Sequence, residues 1–228
     1  MARLIIGHVT ESSVKIWVRG ERRYPVAFVT LRPGRFKPRQ LKLEPRHGYT
    51  GVIEITDLSQ DKEYRCQVRF ARRPDTDPLH WVEFGHCEGR FRTLPQAETP
   101  LDFSFILGSC NLHSLGEFSD PDPAFETLSQ VAQDEHIRFM IHCGDQIYYD
   151  IPLAGKAPDL EEYREKYLDA WGDSRPTRRF LTQHPQYMIL DDLMSSPINQ
   201  LQKSAYWRYR HTSQSTLPEG GQGSQHHG

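Results

Sequence analysis

Nowhere in the 228 residues does an apolar run reach the roughly 18 residues a membrane-spanning helix needs. No bilayer-crossing helix is therefore expected. Cysteine is scarce as well: Cys66, Cys87, Cys110 and Cys143 are too few and too scattered for a disulfide scaffold in a chain of this length. Free thiols are expected, unless one of them binds a metal. Neither sign of charge dominates, since 28 Lys and Arg face 30 Asp and Glu. The balance hides an asymmetry, because residues 1–99 carry 18 basic against 12 acidic residues and residues 100–228 carry 10 against 18. A compact basic block is missing, however. The arginines and lysines are spread along alternating segments, which reads as solvated strand faces and not as a nucleic-acid patch. The opening Met1 to His8 is too short in its apolar part for a secretory signal and runs directly into strand-like sequence, so a cytoplasmic location is expected. What is present in ordinary amount is apolar residues, 37% of the chain, enough for a globular core and against disorder throughout.

From Val14 to Pro95 the pattern is one of short strands and turns with no sustained helical period. In Tyr64-Arg65-Cys66-Gln67-Val68-Arg69-Phe70 the alternate side chains are apolar, so one face is core, with Cys66 in it, and one is wet. Leu58, six residues before Tyr64, with a polar corner at Ser59, Asp61 and Lys62, has the spacing of the tyrosine corner of Ig-like and fibronectin type III sandwiches. Val14, Ile16 and Val18 alternate in the same way, although Trp17 falls on the opposite parity. Residues 1–97 are thus expected to form an all-β sandwich of fibronectin type III or Ig-like type. The proline-flanked stretch Pro95 to Pro100 is the natural boundary.

Beyond it the pattern changes class. Phe103 to Leu107 is a nearly continuous apolar run, expected of a strand buried on both faces, and it ends at Gly108-Ser109-Cys110. Pro123 can open a helix that places Phe125, Leu128, Val131 and Ala132 on one face. A second buried strand from Ile137 to Ile141 ends at His142-Cys143-Gly144-Asp145, completing a βαβ unit. Two helices are expected around 160–170 and 176–183, and then a third strand, Tyr187 to Leu190, that runs into Asp191-Asp192. The ligand edge of an open α/β sheet lies beyond the carboxyl ends of its strands. Here that edge receives Cys110, Asp145 and Asp192. One strand-end Asp commonly caps the next turn, but several anionic groups gathered at one edge repel unless a cation neutralises them. His142 and Cys143 are read as packed, Arg178 and Arg179 as a solvated helix face, His113 as solvated, and His226-His227 as a terminal polar tract.

Four segments, Phe105-Ile-Leu-Gly-Ser-Cys110-Asn, Gly144-Asp145-Gln-Ile-Tyr148-Tyr-Asp150, Tyr163-Arg-Glu-Lys-Tyr167 and Met188-Ile-Leu-Asp191-Asp192, occur in the order and at the distances of successive motifs in another group of proteins. Over residues 1 to 192 the chain resembles the alkaline phosphatase D-type metallophosphoesterases, and its front, ending Phe91-Arg-Thr-Leu-Pro95, is similar to that family's N-terminal domain. The resemblance implies that Cys110 and Tyr148 bind iron(III), that Asp145 bridges iron to calcium, and that Asp192 is a further ligand. It also implies Fe(3+) and Ca(2+) as cofactors, a small phosphate ester as substrate, and hydrolysis of phosphate mono- or diesters; from the scattered basic residues and the lack of a long apolar run, no nucleic-acid or membrane partner is expected. Many members of the family are exported. No residue is assigned a catalytic role beyond metal ligation.

The pattern then stops. Where the family continues His-Glu and a second half of the domain, Asp192 is followed by Leu193-Met194 and a Ser-, Gln- and Gly-rich stretch. The expected architecture is therefore the sandwich, an incomplete α/β metallophosphoesterase domain over 101–192, and a disordered tail over 193–228, as an early stop or frameshift after residue 192 would produce. As written, the chain is expected to be a weak or inactive phosphoesterase. The rival expectation is a non-catalytic fragment in which only the sandwich folds and acts as a binding module.

Overall fold

The computed structural model describes residues 3–111, 124–134, 136–148, 159–172 and 174–189. The front of the chain forms seven antiparallel strands, β1 (Leu4–Val9), β2 (Val14–Arg19), β3 (Val26–Arg32), β4 (Arg39–Lys42), β5 (Thr50–Ile55), β6 (Glu63–Ala71) and β7 (Glu88–Arg92). They make two sheets, one ordered β1-β2-β5 and one ordered β4-β3-β6-β7. Alternation decides what each face does: Ile16, Val18 and Ile53 of the first sheet and Val29, Leu31, Val68, Phe70 and Phe91 of the second belong to one buried cluster. Tyr64 completes the corner, its ring buried and its hydroxyl accepting the backbone N–H of Ser59 at 2.9 Å. Cys66 lies in the same core, where burial pushes its thiol up to about 12.

The remainder contains β8 (Ser104–Gly108), helix α1 (Ala124–Asp134), β9 (Ile137–His142), helices α2 (Leu160–Gly172) and α3 (Arg175–Gln183), and β10 (Gln186–Met188). The three strands run parallel in the order β10-β9-β8. Local chemistry explains the helix starts. Asp159 accepts from the N–H groups of Glu161 and Glu162 while its own N–H donates to the Glu162 carboxylate, a reciprocal cap. Ser174 accepts from the N–H of Thr177, and Pro176 sits in the first turn of α3, where a missing N–H costs nothing.

Helix α1 and helix α3 cover one face of the parallel sheet, packing Phe125, Ala132 and Phe180 against Met140. Helix α3 also meets the sandwich where the edges β1 and β7 come together. His86 Nε2 lies 3.2 Å from Thr182 Oγ1, and His8 Nδ1 of β1 lies 3.0 Å from the Tyr187 hydroxyl of β10. A Cβ at Gly89 of β7 would stand 2.6 Å from the Thr182 carbonyl oxygen, so only glycine permits this approach. Trp17 finds its reason here too. Its ring leaves the sandwich core and meets Trp171 of α2 edge-on at 5.9 Å, which is why it breaks the parity of its aliphatic neighbours.

Several expectations need correcting. β8 is not buried on both faces: Phe103, Phe105 and Leu107 are 52%, 47% and 65% exposed, because both helices that pack on this sheet lie on its other side. Val131 is exposed at the rim of α1, and Ser129 occupies the buried position instead, its hydroxyl bonded to the Phe125 carbonyl at 2.8 Å. Cys143 is exposed and not packed. Arg178 is half-buried and donates to the Gly172 carbonyl at the end of α2, so it is a structural cap and not merely a solvated charge. β10 ends at Met188, and Leu190, Asp191 and Asp192 lie outside the described residues.

Two outcomes follow from this packing. Tyr64→Phe removes one hydrogen bond at a corner whose Ser59 N–H is then left to water, and is expected to lower unfolding free energy by about 1 kcal/mol in denaturant titrations. The seam is also expected to weaken in acid. His184 is held down to about 4 by burial and by the guanidinium groups of Arg90 and Arg179, and His86 is lowered by burial and by Arg178. Both are neutral in the fold, whereas an unfolded histidine takes up a proton near pH 6.5. The contribution of His184 is complete above that pH and is lost as pH falls toward 4, at no more than about 1.4 kcal/mol per pH unit, and His86 acts in the same direction. Denaturant midpoints at pH 7.5 and 5 measure it. His184→Gln should flatten the difference, and equal midpoints for the parent chain would contradict this account.

Candidate metal centre

The chain leaves β8 at Gly108 and β9 at His142, residues that stand opposite each other in the parallel ladder. The two loops that follow are therefore delivered side by side and lace together. Cys143 N–H donates to the Gly108 carbonyl at 2.8 Å, Cys110 N–H to Gly144 at 3.3 Å, and Asn111 N–H to Asp145 at 2.7 Å. Side chains add to this: the Ser109 hydroxyl donates to the Gly144 carbonyl at 3.2 Å and the buried Asn111 amide to the Gln146 carbonyl at 3.3 Å. The third strand is tied in by the Gln146 amide, which donates to the Ile189 carbonyl at 2.9 Å. Cys110 at φ 61° and Asp145 at φ 50° both adopt the left-handed conformation. For a cysteine this costs on the order of 1 kcal/mol, and the surrounding hydrogen bonds hold it.

The result is that two side chains, one from each loop, converge on a single carboxylate oxygen of a third. The Cys110 thiol donates to Asp145 Oδ2 at 3.2 Å, and the Tyr148 hydroxyl donates to the same oxygen at 3.1 Å. The Tyr148 phenol is pushed above its ordinary range by its hydrogen bond to Cys110, by burial and by the Asp145 carboxylate. A phenol beside a thiol and a carboxylate gains nothing from ionising unless a cation is added, and a cation reverses that direction. Carboxylate and phenolate oxygens with a thiolate suit a highly charged cation, so the donor set fits the metal that the sequence resemblance implies. Among the described residues no three His, Cys, Asp or Glu side chains converge; the set is one thiol and one carboxylate completed by a phenol.

Of the four expected ligands, Cys110, Asp145 and Tyr148 are brought together, while Asp192, like Asp150 and His113, lies outside the described residues. His142 is buried beneath the loops, lowered by burial against the opposing pull of Asp145, and its Nδ1 has no hydrogen-bond partner among the described residues. Sequence reasoning passed over Ser109, Asn111 and Gln146, which hold the loops in place. The available signal was a polar residue directly after each apolar strand, in the segments Gly-Ser-Cys-Asn and Gly-Asp-Gln.

No protein-family model matches the chain, and no curated protein matches it in sequence. Solved structures do match. "Structure of PhoD" is similar with a TM-score of 0.61 at 15% identity, over 83% of this chain and 38% of that one. The purple acid phosphatase PPD1 from yellow lupin (Lupinus luteus) seeds is similar with a TM-score of 0.55 at 13% identity, over 84% of this chain and 35% of that one. The chain thus spans little more than a third of the length of either protein. At these identities the likeness is one of fold: a β-rich architecture similar to those of PhoD and the purple acid phosphatase.

Proposed function

We propose that this chain carries part of the centre of a metal-dependent phosphoesterase of alkaline phosphatase D type, with Cys110, Asp145, Tyr148 and Asp192 as ligands to iron(III) and calcium and with phosphate mono- or diesters as substrates. The observation that carries the reading is the meeting of the Cys110 thiol and the Tyr148 phenol on Asp145 Oδ2, at the ligand edge of a parallel sheet. When bound, a pair of such cations supplies positive charge to both the attacking and the leaving oxygen of an in-line displacement. The protein's own part is to orient and to exchange protons. Asp145 offers two oxygens from one backbone position fixed by its neighbours' hydrogen bonds, Cys110 and Tyr148 give up their protons on loading, and Asn111, Ser109 and Gln146 keep the two loops in register. The exposed Cys110 leaves the outer side of the centre open to a small ester.

A second reading, a non-catalytic chain that acts through its sandwich as a binding module, is favoured by the apolar face of Phe103, Phe105 and Leu107, over which no described helix packs. A sheet face left in water is not what a finished α/β domain presents. Metal content and turnover separate the two. Purified protein should contain iron and should release p-nitrophenol from p-nitrophenyl phosphate, and Asp145→Asn should lose both by about tenfold or more while unfolding at the same temperature or higher. Equal iron and equal turnover in the two proteins would leave the binding-module reading standing.

The phenol supplies a spectroscopic check. Because Tyr148 keeps its proton in the unloaded centre, iron(III) uptake must release it, so loading should strengthen as pH rises and weaken as it falls. Tyr148→Phe is expected to abolish the visible phenolate-to-iron absorption and to reduce the protons released on loading by one. An unchanged absorption band would remove Tyr148 from the ligand set.

A further inference from the structure

The outer face of the four-stranded sheet carries a row of arginines unrelated to the centre above. In the register of the sheet Arg32 of β3 stands directly opposite Arg65 of β6, and Arg65 directly opposite Arg90 of β7. All three are exposed. Strands lie about 4.8 Å apart, so three guanidinium groups are anchored within a span of about 10 Å. Like charges directly opposite one another destabilise a sheet, and no carboxylate among the described residues pairs with any of the three.

The surroundings do not cancel the row. On one side Glu88 shares the Gln67 amide with Glu83, whose carboxylate is held by Arg69 at 2.8 Å. On the other, Arg92 pairs with Asp61 at 2.8 Å, which leaves Glu63 and Glu88 as the carboxylates nearest to three unpaired cations. Arg32 and Arg65, together with Pro33, Gly34 and Glu63, line an open depression of about 380 Å³ beside the row.

We infer that this row binds a condensed phosphate chain, the guanidinium groups closing on phosphoryl oxygens along its length. Guanidinium forms paired hydrogen bonds to phosphoryl oxygens, and a linear anion of dense charge is the ligand that relieves repulsion along the whole row at once. A single-stranded nucleic acid fits less well, because such chains are gripped by aromatic platforms as well as by charge. The aromatic rings of this face, Phe28 and Trp81, are already stacked on each other at 3.9 Å with Phe28 buried, and lie on β3 and after β6 away from the arginine row.

The test is calorimetric titration of the full chain with tripolyphosphate, in EDTA and at low ionic strength so that the metal centre takes no part. Saturable binding is expected, weakened about fivefold or more by Arg65→Gln and less by Arg32→Gln or Arg90→Gln. It should also weaken as salt rises from about 20 to 200 mM, and be unaffected by Asp145→Asn. Arg65→Gln should unfold at the same temperature or higher without ligand, because it removes a like-charge contact, so lost binding in that variant is not lost folding. Binding that is indifferent to all three arginine substitutions overturns the proposal. So does orthophosphate binding as tightly as tripolyphosphate, or a single-stranded oligonucleotide binding more tightly than either.

Discussion

Helix α3 is buried from two directions, and the described architecture hangs on that double contact. On one side Phe180 enters the core under the parallel sheet; on the other, Thr182 and the chain around it press against the joined edges of β1 and β7. The approach is so close that Gly89 cannot carry a side chain. The Arg178 cap ties α3 back to the end of α2, and α2 in turn reaches the sandwich through Trp171 and through Arg164, whose guanidinium donates to the Arg46 carbonyl. The strand that follows α3 enters the sheet beside β9, and a hydrogen bond from Gln146 fastens its end to the loop that bears Asp145. Sandwich, helix and the loops that bear Cys110 and Asp145 are thus one mechanical series. A disturbance at β7 has a contiguous packed route to the candidate centre.

The two charged constellations of the molecule use opposite solutions to the same problem. At the strand ends a thiol and a phenol share one carboxylate oxygen as hydrogen-bond donors, and the phenol is held in its neutral form by those neighbours, so that repulsion is held in check by hydrogen bonding. On the sandwich face the guanidinium groups have no such option, since arginine does not give up its charge in the ordinary pH range. There only distance, solvent and a counter-anion can relieve the crowding.

How much of this was legible beforehand differs by feature and for physical reasons. Strand parity marked Val14, Ile16, Val18, Tyr64, Cys66, Val68 and Phe70 as inward because one face of each strand is core and the other water. Alternation says nothing about what lies above the wet face, so Trp17 was anomalous until α2 was seen over it, and the row formed by Arg32, Arg65 and Arg90 exists only in the strand register. The apolar run of β8 looks like a strand buried on both faces because composition cannot tell which face of a sheet receives helices; Phe105 and Leu107 are exposed although their sequence looks like core. At the centre, Cys110 and Asp145 were singled out by their place after apolar strands, and the register of Gly108 against His142 brings those strand ends together. The left-handed backbone at both residues and the bracing by Asn111 and Gln146 carried no sequence signal that separates them from ordinary loop polarity.

The contact between His8 and Tyr187 joins residues 179 positions apart. On a ribosome adding about 5–20 residues per second, roughly 10–35 s separate the synthesis of these two partners. For most of that interval β1 is held by β2 and, once it has been made, by β7, while the flank that later meets β10 faces solvent. The nascent sandwich therefore passes through a period in which its first strand is its most vulnerable, and that vulnerability ends only when the last described strand has been made.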